Sequence, residues 1–341
     1  MIKEAIGTLV SGKSLTENEA ASVMEEIMEG KASPAQLGAF ITALRIKGET
    51  AEEIAGLAGV MRDKAIRVTA TRPVLDVVGT GGDGQNTFNI STAAAFVAAG
   101  AGIKVAKHGN RAASSQCGSA DVLETLGVKI DLNAEQVQRC IQEVGIGFMF
   151  APAFHPAMKY AAGPRREIGI RTVFNILGPL TNPARAEYLV IGVPREELAE
   201  KIVQAIMHLG AKHALVVHGL SGMDEISISG NSLIWEIKNG KLISSRKSIS
   251  PEDFGIPLAP TSSICGGPPQ ENAATLRLIF SGDRSAKRDV TVLNAAATLL
   301  AGENVETWEE GVKLSQEILD SGKALDKLNR LVEFTRKMVG N

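Results

Sequence analysis

The chain has few aromatic residues, few cysteines and no excess of charge of either sign. Aromatic side chains make up 4% of its 341 residues, and 36 basic side chains are balanced by 38 acidic ones. Because the net charge is near zero, a protein whose main task is to coat nucleic acid is disfavoured, and any basic site must be local. With 44% hydrophobic and 22% charged residues, the disordered and fibrous classes are disfavoured as well.

The cysteines and the apolar runs indicate the cellular compartment of the protein. Cys117, Cys140 and Cys265 are odd in number and widely spaced, which fits neither a disulfide framework nor a zinc cluster. Residues 1–15 contain too short an apolar run for a signal peptide, and no segment approaches the roughly 18 apolar residues that span a bilayer. We therefore expect a cytoplasmic protein in a reducing compartment, with no membrane partner.

Residues 1–70 are expected to form a small helical domain. Capping-box signals at Thr16, Ser33 and Thr50 each predict the start of a helix, because a glutamate or glutamine follows three residues later. Apolar residues then recur at helical spacing in each segment. No strand pattern is found in this part of the chain.

From residue 74 onward, short apolar runs alternate with alanine-rich helical segments. This alternation predicts an α/β fold with a mainly parallel central sheet covered by helices. The prolines of residues 164–183 interrupt the alternation, and we expect a helical return at about 164–182 that joins the small domain. The large α/β domain then comprises residues 71–163 and 183–341. The expected strands are VLDVV (74–78), IKVA (103–106), VKI (128–130), GFMFA (147–151), YLVIGV (188–193) and ALVVH (214–218).

A glycine-rich loop at residues 79–84, GTGGDG, follows the first strand and predicts an anion site. Its four glycines bare the backbone N–H groups and allow close approach of a ligand. The loop leads to the start of a helix near Ser91, where free N–H groups and the helix dipole favour an anion. A second loop after the next strand begins with Lys107, which can supply a compensating positive charge. Together the two loops predict a site for a phosphate-rich small molecule.

Two common phosphate motifs fit this loop poorly. Its glycines satisfy the G-x-G-x-x-G pattern of dinucleotide folds, but the helix begins too late, and Lys104 stands near the position of the expected acidic residue. A P-loop is disfavoured because Gln85 replaces the lysine that this motif requires. The ligand is therefore expected to be a pyrophosphate compound of another kind.

Several motifs resemble the anthranilate phosphoribosyltransferase family and keep their order along essentially the whole chain. They are GTGGD at 79–83, NIST at 89–92, KHGNRAASS at 107–115, GSADVLE at 118–124, HPAMKYAAGPRREIGIRTVFNILGPLTNPA at 155–184 and GMDEIS at 222–227. The resemblance implies transfer of the phosphoribosyl group of 5-phosphoribosyl 1-pyrophosphate (PRPP) to the amine of anthranilate, with release of pyrophosphate. It also implies a helical domain, an α/β domain and a cleft between them.

The resemblance further implies roles for individual residues. Lys107 and Asp83 are implied as catalytic residues, and Gly79, Asn110 and Arg165 as the anthranilate site. A guanidinium suits a carboxylate because it offers two parallel hydrogen bonds, although the adjacent Arg166 is not excluded by this argument. The residues implied for PRPP are Gly79, Gly82, Asp83, Thr87, Asn89, Ile90, Ser91, Thr92, Lys107, His108, Gly109, Asn110, Arg111, Ala112, Ala113, Ser114, Ser115 and Ser119.

The cofactor implied by the resemblance is Mg²⁺, held by Ser91, Asp224 and Glu225. Mg²⁺ binds through one or two carboxylates together with substrate phosphates and waters, which suits this small set. We also expect a homodimer that binds PRPP and anthranilate and no nucleic acid. Two other hypotheses remain: a pyrimidine nucleoside phosphorylase, although the lysine-serine-glycine signature is missing, and a non-catalytic relative that binds nucleic acid.

Overall fold

The computed structural model describes residues 1–112 and 115–339 of the chain. Its N-terminal part is helical, and the three predicted capping boxes are confirmed. The side chains of Thr16, Ser33 and Thr50 each accept a hydrogen bond from the backbone N–H three residues later. The helices are α1 (Ile2–Val10), α2 (Glu17–Met28), α3 (Pro34–Lys47) and α4 (Ala51–Lys64).

The segment between residues 159 and 180 returns to these N-terminal helices. Helix α9 (Lys159–Ile168) packs against α2 and α3, and the short helix α10 (Phe174–Leu177) packs against α4. A helical return was predicted at about 164–182. The limits given for the two domains remain a prediction.

A seven-stranded sheet forms the centre of the rest of the chain. Its spatial order is β3-β2-β1-β4-β5-β6-β7. The first five strands in this order are parallel. At one edge β6 pairs antiparallel with β5, and β7 pairs antiparallel with β6. The mainly parallel sheet predicted from the sequence is therefore confirmed. The strands are β1 (Leu75–Gly79), β2 (Val105–Gly109), β3 (Ile146–Phe150), β4 (Tyr188–Gly192), β5 (His213–Gly219), β6 (Ser232–Lys238) and β7 (Lys241–Ile249).

One strand prediction was wrong, and two strands were missed. Residues 128–130 form no strand, because Lys129 donates its backbone N–H to Oγ1 of Thr335 (3.1 Å) rather than to a neighbouring strand. Strands β6 and β7 were missed. Their turn, Asn239-Gly240, has φ values of 51° and 71°, and Asn-Gly is a strong hairpin signal that the sequence did contain.

Helices cover the sheet, as predicted. Helix α5 (Ile90–Gly100), which follows β1, is buried along nearly its whole length against α13 (Ala286–Ala301) and α15 (Lys323–Val339). Within the described residues, no helix is long and apolar enough to cross a membrane. The remaining helices are α6 (Ser119–Leu126), α7 (Ala134–Arg139), α8 (Ala151–Phe154), α11 (Glu196–His208), α12 (Pro269–Phe280) and α14 (Trp308–Asp320).

The order of the strands determines where a ligand can bind. From β1 the chain proceeds through β2 to β3 on one side, and β4 and β5 then add on the other side of β1. The loops after β1 and β4 therefore leave the sheet on opposite sides and open a crevice between them. In open α/β sheets, ligands bind in such a crevice outside the carboxyl ends of the strands.

Candidate active site

The glycine loop after β1 lies at this crevice. Gly81, Gly82 and Gly84 have φ values of 70°, 74° and 71°, a region that side chains with a Cβ rarely adopt. The backbone N–H of Gly81 donates to Oδ2 of Asp224 at 2.6 Å. The loop after β1 and the loop after β5 are therefore joined at the carboxyl edge of the sheet.

Asp224 is packed against the last residues of two adjacent strands. Gly79 and Gly192 are paired across β1 and β4. A Cβ on Gly79 would lie 2.2 Å from Oδ2 of Asp224, and a Cβ on Gly192 would lie 1.5 Å from its carbonyl oxygen. Both positions need glycine because Asp224 occupies the space above them. Gly192 was not predicted, although a glycine is visible near the end of the run YLVIGV.

Three carboxylates meet at this point. One oxygen from each of Asp83, Asp224 and Glu225 lies within 4.8 Å of the other two. Oδ2 of Asp83 and Oε2 of Glu225 are buried and have no hydrogen-bond partner in the described part of the chain. Burial, and then the charge of Asp83, raises the pKa of Asp224 well above its ordinary value. Burial, and then the charge of Asp224, raises the pKa of Glu225 well above its ordinary value.

The donor set of this carboxylate cluster fits a divalent cation. Buried carboxylates without partners are costly unless a positive charge compensates them, and hard oxygen ligands are those that Mg²⁺ prefers. Asp224 and Glu225 were both predicted as metal ligands. Asp83, predicted as a catalytic and PRPP-binding residue, is brought to the same cluster by the glycine loop.

Lys107 lies beside the carboxylate cluster. The sequence had suggested that it begins a loop, but it lies within a strand. It belongs to strand β2, is 2% exposed, and donates its Nζ to the carbonyl oxygen of Val77 at 2.7 Å. Its Nζ also lies 3.4 Å from Oγ of Ser91, the third predicted metal ligand. Burial lowers the pKa of Lys107 to about 8, against the opposing effects of Asp76 and Glu225.

Asp76 supports Lys107 from within β1, and sequence reasoning missed it. Its carboxylate accepts hydrogen bonds from the amide of Asn182 (2.7 Å) and from the backbone N–H of His108 (3.3 Å). Burial raises its pKa to about 6, while Lys107 acts in the opposite direction. The available signal was a single carboxylate inside an otherwise apolar strand.

The amino end of α5 adds polar groups near Lys107. The helix starts at Ile90, one residue before the predicted start, and Asn89 is its N-cap residue. Thr92 is buried, and its Oγ1 has no partner within the described residues. Thr87 forms an isolated backbone bridge to Cys265 before the helix begins. Free N–H groups at such a helix start favour an anion.

The loop after β2 is built around Asp121. Oδ2 of Asp121 accepts hydrogen bonds from the backbone N–H groups of Ala112 and Gly118, both at 2.9 Å. Arg111, predicted to contact PRPP, is exposed, and its Nη1 lies 2.7 Å from Glu124 and 3.1 Å from Asp121. Two acidic partners therefore hold this guanidinium.

The other predicted residues of this loop differ in their exposure. Gly109 ends β2, and a Cβ there would lie 2.2 Å from Oγ of Ser119. Asn110 and Ser115 are exposed, and Ser119 is half-buried. Ala113 and Ser114 lie outside the described residues.

Two histidines pack together behind the loop. The rings of His108 and His155 are 5.0 Å apart, and Nε2 of each is buried without a partner in the described part of the chain. Burial lowers the pKa of His108 to about 3 and that of His155 to about 4. Both imidazoles are therefore neutral near pH 7.

Arg165, predicted to bind the anthranilate carboxylate, lies near the end of α9. Its guanidinium carbon is 4.9 Å from the ring centroid of Phe174, and burial lowers its pKa. Among the described residues, no carboxylate lies within ion-pair distance of it. A half-buried guanidinium without a carboxylate partner suits an acidic ligand. The neighbouring Arg166 is exposed.

A cavity of about 430 Å³ adjoins the glycine loop on the side facing the N-terminal helices. Arginines missed by sequence reasoning line it, namely Arg45 of α3, Arg171 and Arg195. Arg171 donates its Nη2 to the carbonyl oxygens of Gly81 (2.7 Å) and Thr80 (3.3 Å). Since Asp83 and Gly82 line the same cavity, it connects with the region of the carboxylate cluster.

The chain matches two family models. Residues 3–65 match the helical bundle domain of a glycosyl transferase family, and residues 71–325 match the α/β domain of that family. The chain is also 64% identical to an anthranilate phosphoribosyltransferase of Dehalococcoides mccartyi, and the match covers 99% of each chain. The chain belongs to the anthranilate phosphoribosyltransferase family. The resemblance drawn from its motifs is confirmed, and so is the expectation of an enzyme of the glycosyltransferase class.

Solved members of the anthranilate phosphoribosyltransferase family share the fold. The enzyme from Thermus thermophilus is 44% identical and superposes with a TM-score of 0.92. The superposition covers 97% of this chain and 99% of the other. The enzyme from Saccharomyces cerevisiae, solved in complex with PRPP and Mg, is 30% identical, with a TM-score of 0.90 and 98% of each chain covered. The fold class predicted from the sequence is thereby confirmed.

Proposed function

We propose that this crevice transfers the phosphoribosyl group of PRPP to the amine of anthranilate and releases pyrophosphate. The observation that carries the proposal is the cluster of the buried Asp224 with the half-buried Asp83 and Glu225, beside the ammonium of Lys107. Acidic and basic groups placed side by side suit a ligand that combines a divalent cation with phosphate oxygens. The full-length match to the family supports the same substrates.

In this proposal, Asp224, Glu225 and Ser91 hold Mg²⁺, and Asp83 completes the set. When bound, Mg²⁺ neutralises negative charge on phosphate oxygens. The binding of PRPP and Mg by the yeast relative supports this assignment. The glycine loop, the start of α5 and the residues from Lys107 to Ser119 bind PRPP, with Lys107 at the pyrophosphate end.

Lys107 is proposed to stabilise the leaving group. As the bond between ribose C1 and the pyrophosphate oxygen breaks, negative charge accumulates on the pyrophosphate. An ammonium has three N–H donors. In the structure, two of those of Lys107 are directed toward Val77 and Ser91, which leaves one for a phosphate oxygen. Because this charge is already fixed within the sheet, it needs no reorganisation during the reaction.

The acceptor is proposed to bind where Gly79, Asn110 and Arg165 meet the donor. Arg165 would pair with the anthranilate carboxylate, which leaves the amine free to form the new bond to C1. The amine is a neutral nucleophile at pH 7, so we assign no general base. The neutral His108 and His155 fit this view because neither imidazole has a pKa near the working pH.

One assay tests the proposed function directly. The protein is mixed with Mg²⁺, PRPP and anthranilate, and the loss of anthranilate fluorescence is followed together with the pyrophosphate released. We expect equal molar amounts of both changes, and neither change without PRPP. A folded sample that leaves anthranilate unchanged would contradict the proposal. Phosphorolysis of a pyrimidine nucleoside, or a shift of labelled nucleic acid in a gel, would instead favour one of the two alternatives.

We further propose that the protein is a homodimer in the cytoplasm. Val10 at the end of α1 is 73% exposed, and Ile46 near the end of α3 is 81% exposed, although both are apolar. Both helices belong to the helical part of the chain and pack together, and these side chains leave apolar surface exposed there. Cys117, Cys140 and Cys265 are free thiols, which fits a reducing compartment. Light scattering after size-exclusion chromatography tests the dimer, and a monomeric mass at all concentrations would exclude it.

A further inference from the structure

Arg171 lies in the short segment that joins the returning helices α9 and α10. Helix α9 packs against α2 and α3, and α10 packs against α4, so the segment is anchored to the N-terminal helices on both sides. From this position the guanidinium reaches the glycine loop and donates to the carbonyl oxygens of Thr80 and Gly81. One side chain therefore connects the helical part of the protein to the loop beside the carboxylate cluster.

The contact with Thr80 acts on Asp224 through a single peptide group. In a trans peptide the C=O and the following N–H point in opposite directions. The carbonyl of Thr80 faces Arg171, and the N–H of Gly81 accordingly points away from it and donates to Oδ2 of Asp224 at 2.6 Å. A guanidinium that binds the carbonyl oxygen polarises the peptide and strengthens the bond that its N–H donates.

The space for this guanidinium is provided by Gly82. A Cβ at residue 82 would lie 1.4 Å from Nη1 of Arg171, and the φ of Gly82 is 74°. The glycine is thus required twice, once for its backbone conformation and once for the side chain that lies against it.

The charges around Arg171 act on it in both directions. Asp224 and Asp83 attract its guanidinium, whereas Arg45 and Arg195 repel it. Among the described residues, no carboxylate pairs with it directly. Its two hydrogen bonds to the loop are therefore its main fixed contacts.

We propose that Arg171 is a positioning residue that sets the orientation of Asp224 through the peptide between Thr80 and Gly81. It thereby makes the affinity for the metal and PRPP depend on the segment between α9 and α10. This inference rests on the proposed function, because it takes Asp224 as a ligand of the divalent cation. Arg171 itself touches neither the metal nor the reacting atoms.

The test measures binding of Mn²⁺, alone and with PRPP, by calorimetry and by the electron paramagnetic resonance spectrum of bound Mn²⁺. Mn²⁺ suits the same oxygen ligands as Mg²⁺. In Arg171→Gln we expect binding of Mn²⁺ with PRPP to weaken by about tenfold or more, as expected when hydrogen bonds from a charged group are lost. The KM for PRPP should rise in parallel, and the KM for anthranilate should stay unchanged. Arg171→Lys should recover part of the loss, because an ammonium donates to a carbonyl but lacks the planar fork.

A double variant separates positioning from general structural support. If Arg171 acts through Asp224, Arg171→Gln should have little further effect on Mn²⁺ binding in an Asp224→Asn background. Arg330→Gln is the matched control. Arg330 is an exposed arginine of α15 that donates a hydrogen bond to the backbone carbonyl of Glu143. It should bind Mn²⁺ as the unaltered protein does.

Two results would overturn the proposal: unaltered Mn²⁺ and PRPP binding in Arg171→Gln, or an undiminished effect in the Asp224→Asn background. Failure of the proposed function gives a different result. In that case the unaltered protein consumes no anthranilate, whatever the effect of Arg171 on Mn²⁺ binding.

Discussion

Replacing Gly192 by alanine is the most demanding test of the packing around Asp224. The new Cβ would lie 1.5 Å from the carbonyl oxygen of Asp224, whereas real Cβ atoms essentially never come closer than 3.0 Å. The loop that carries Asp224 and Glu225 must therefore move by about 1.5 Å, given those distances. A misplacement of about 1 Å at a reacting centre costs on the order of 10²-fold in rate. We expect kcat/KM for PRPP to fall by at least that factor.

The same substitution should cost only part of the stability. Overpacking a well-packed site costs about 1–3 kcal/mol, so Gly192→Ala should still fold, with a lower melting temperature. Gly59→Ala is the control, because a Cβ on Gly59 of α4 meets nothing within 4 Å. It should keep full activity and lose no stability, since alanine favours a helix more than glycine does. A folded Gly192→Ala protein with unaltered kcat/KM would refute the proposed role of Asp224.

Further predictions concern the cations and the histidines. Lys107→Ala should lower kcat by about 10²–10³-fold, because this is the usual cost of removing one preorganised donor. The KM for anthranilate should change little. Equal activity in this variant would exclude Lys107 as the group that stabilises the leaving pyrophosphate. Because burial lowers the pKa of Lys107 to about 8, kcat/KM for PRPP should fall as the pH rises through that value, and a flat profile between pH 7 and 9 would contradict this. Arg165→Gln should raise the KM for anthranilate by about tenfold or more while the KM for PRPP stays unchanged, which steady-state kinetics can check. Burial lowers the pKa values of His108 and His155, so the unfolded chain takes up protons first, and the melting temperature should drop as the pH falls below about 6.5. His155→Gln should weaken this dependence, and an identical pH dependence in that variant would count against the reasoning.

Local sequence signals predicted much of the fold. Thr16, Ser33 and Thr50 marked helix starts correctly, because a capping box depends only on residues within one turn. The run at 128–130 misled the prediction for the opposite reason. Its apolar side chains are buried, but whether its backbone pairs with a strand depends on Thr335, about 200 residues away in the chain.

Candidate site residues are easiest to propose from the sequence where they are consecutive. Asp224 with Glu225, and the glycine loop, could be found from short motifs. Arg171 and Gly192 could not, since their importance arises only when separate segments meet at the carboxyl edge of the sheet. Lys107 was proposed from its motif, but its burial within β2 was not foreseen, because its sequence neighbours do not reveal the partner strands.

The most direct test of the account is a crystal structure of the protein with Mn²⁺ and PRPP, with the metal located by anomalous scattering. We predict an anomalous peak coordinated by Asp224 and Glu225, with the pyrophosphate group between it and the ammonium of Lys107. A peak at another site, or a pyrophosphate group away from both the carboxylate cluster and Lys107, would contradict the account.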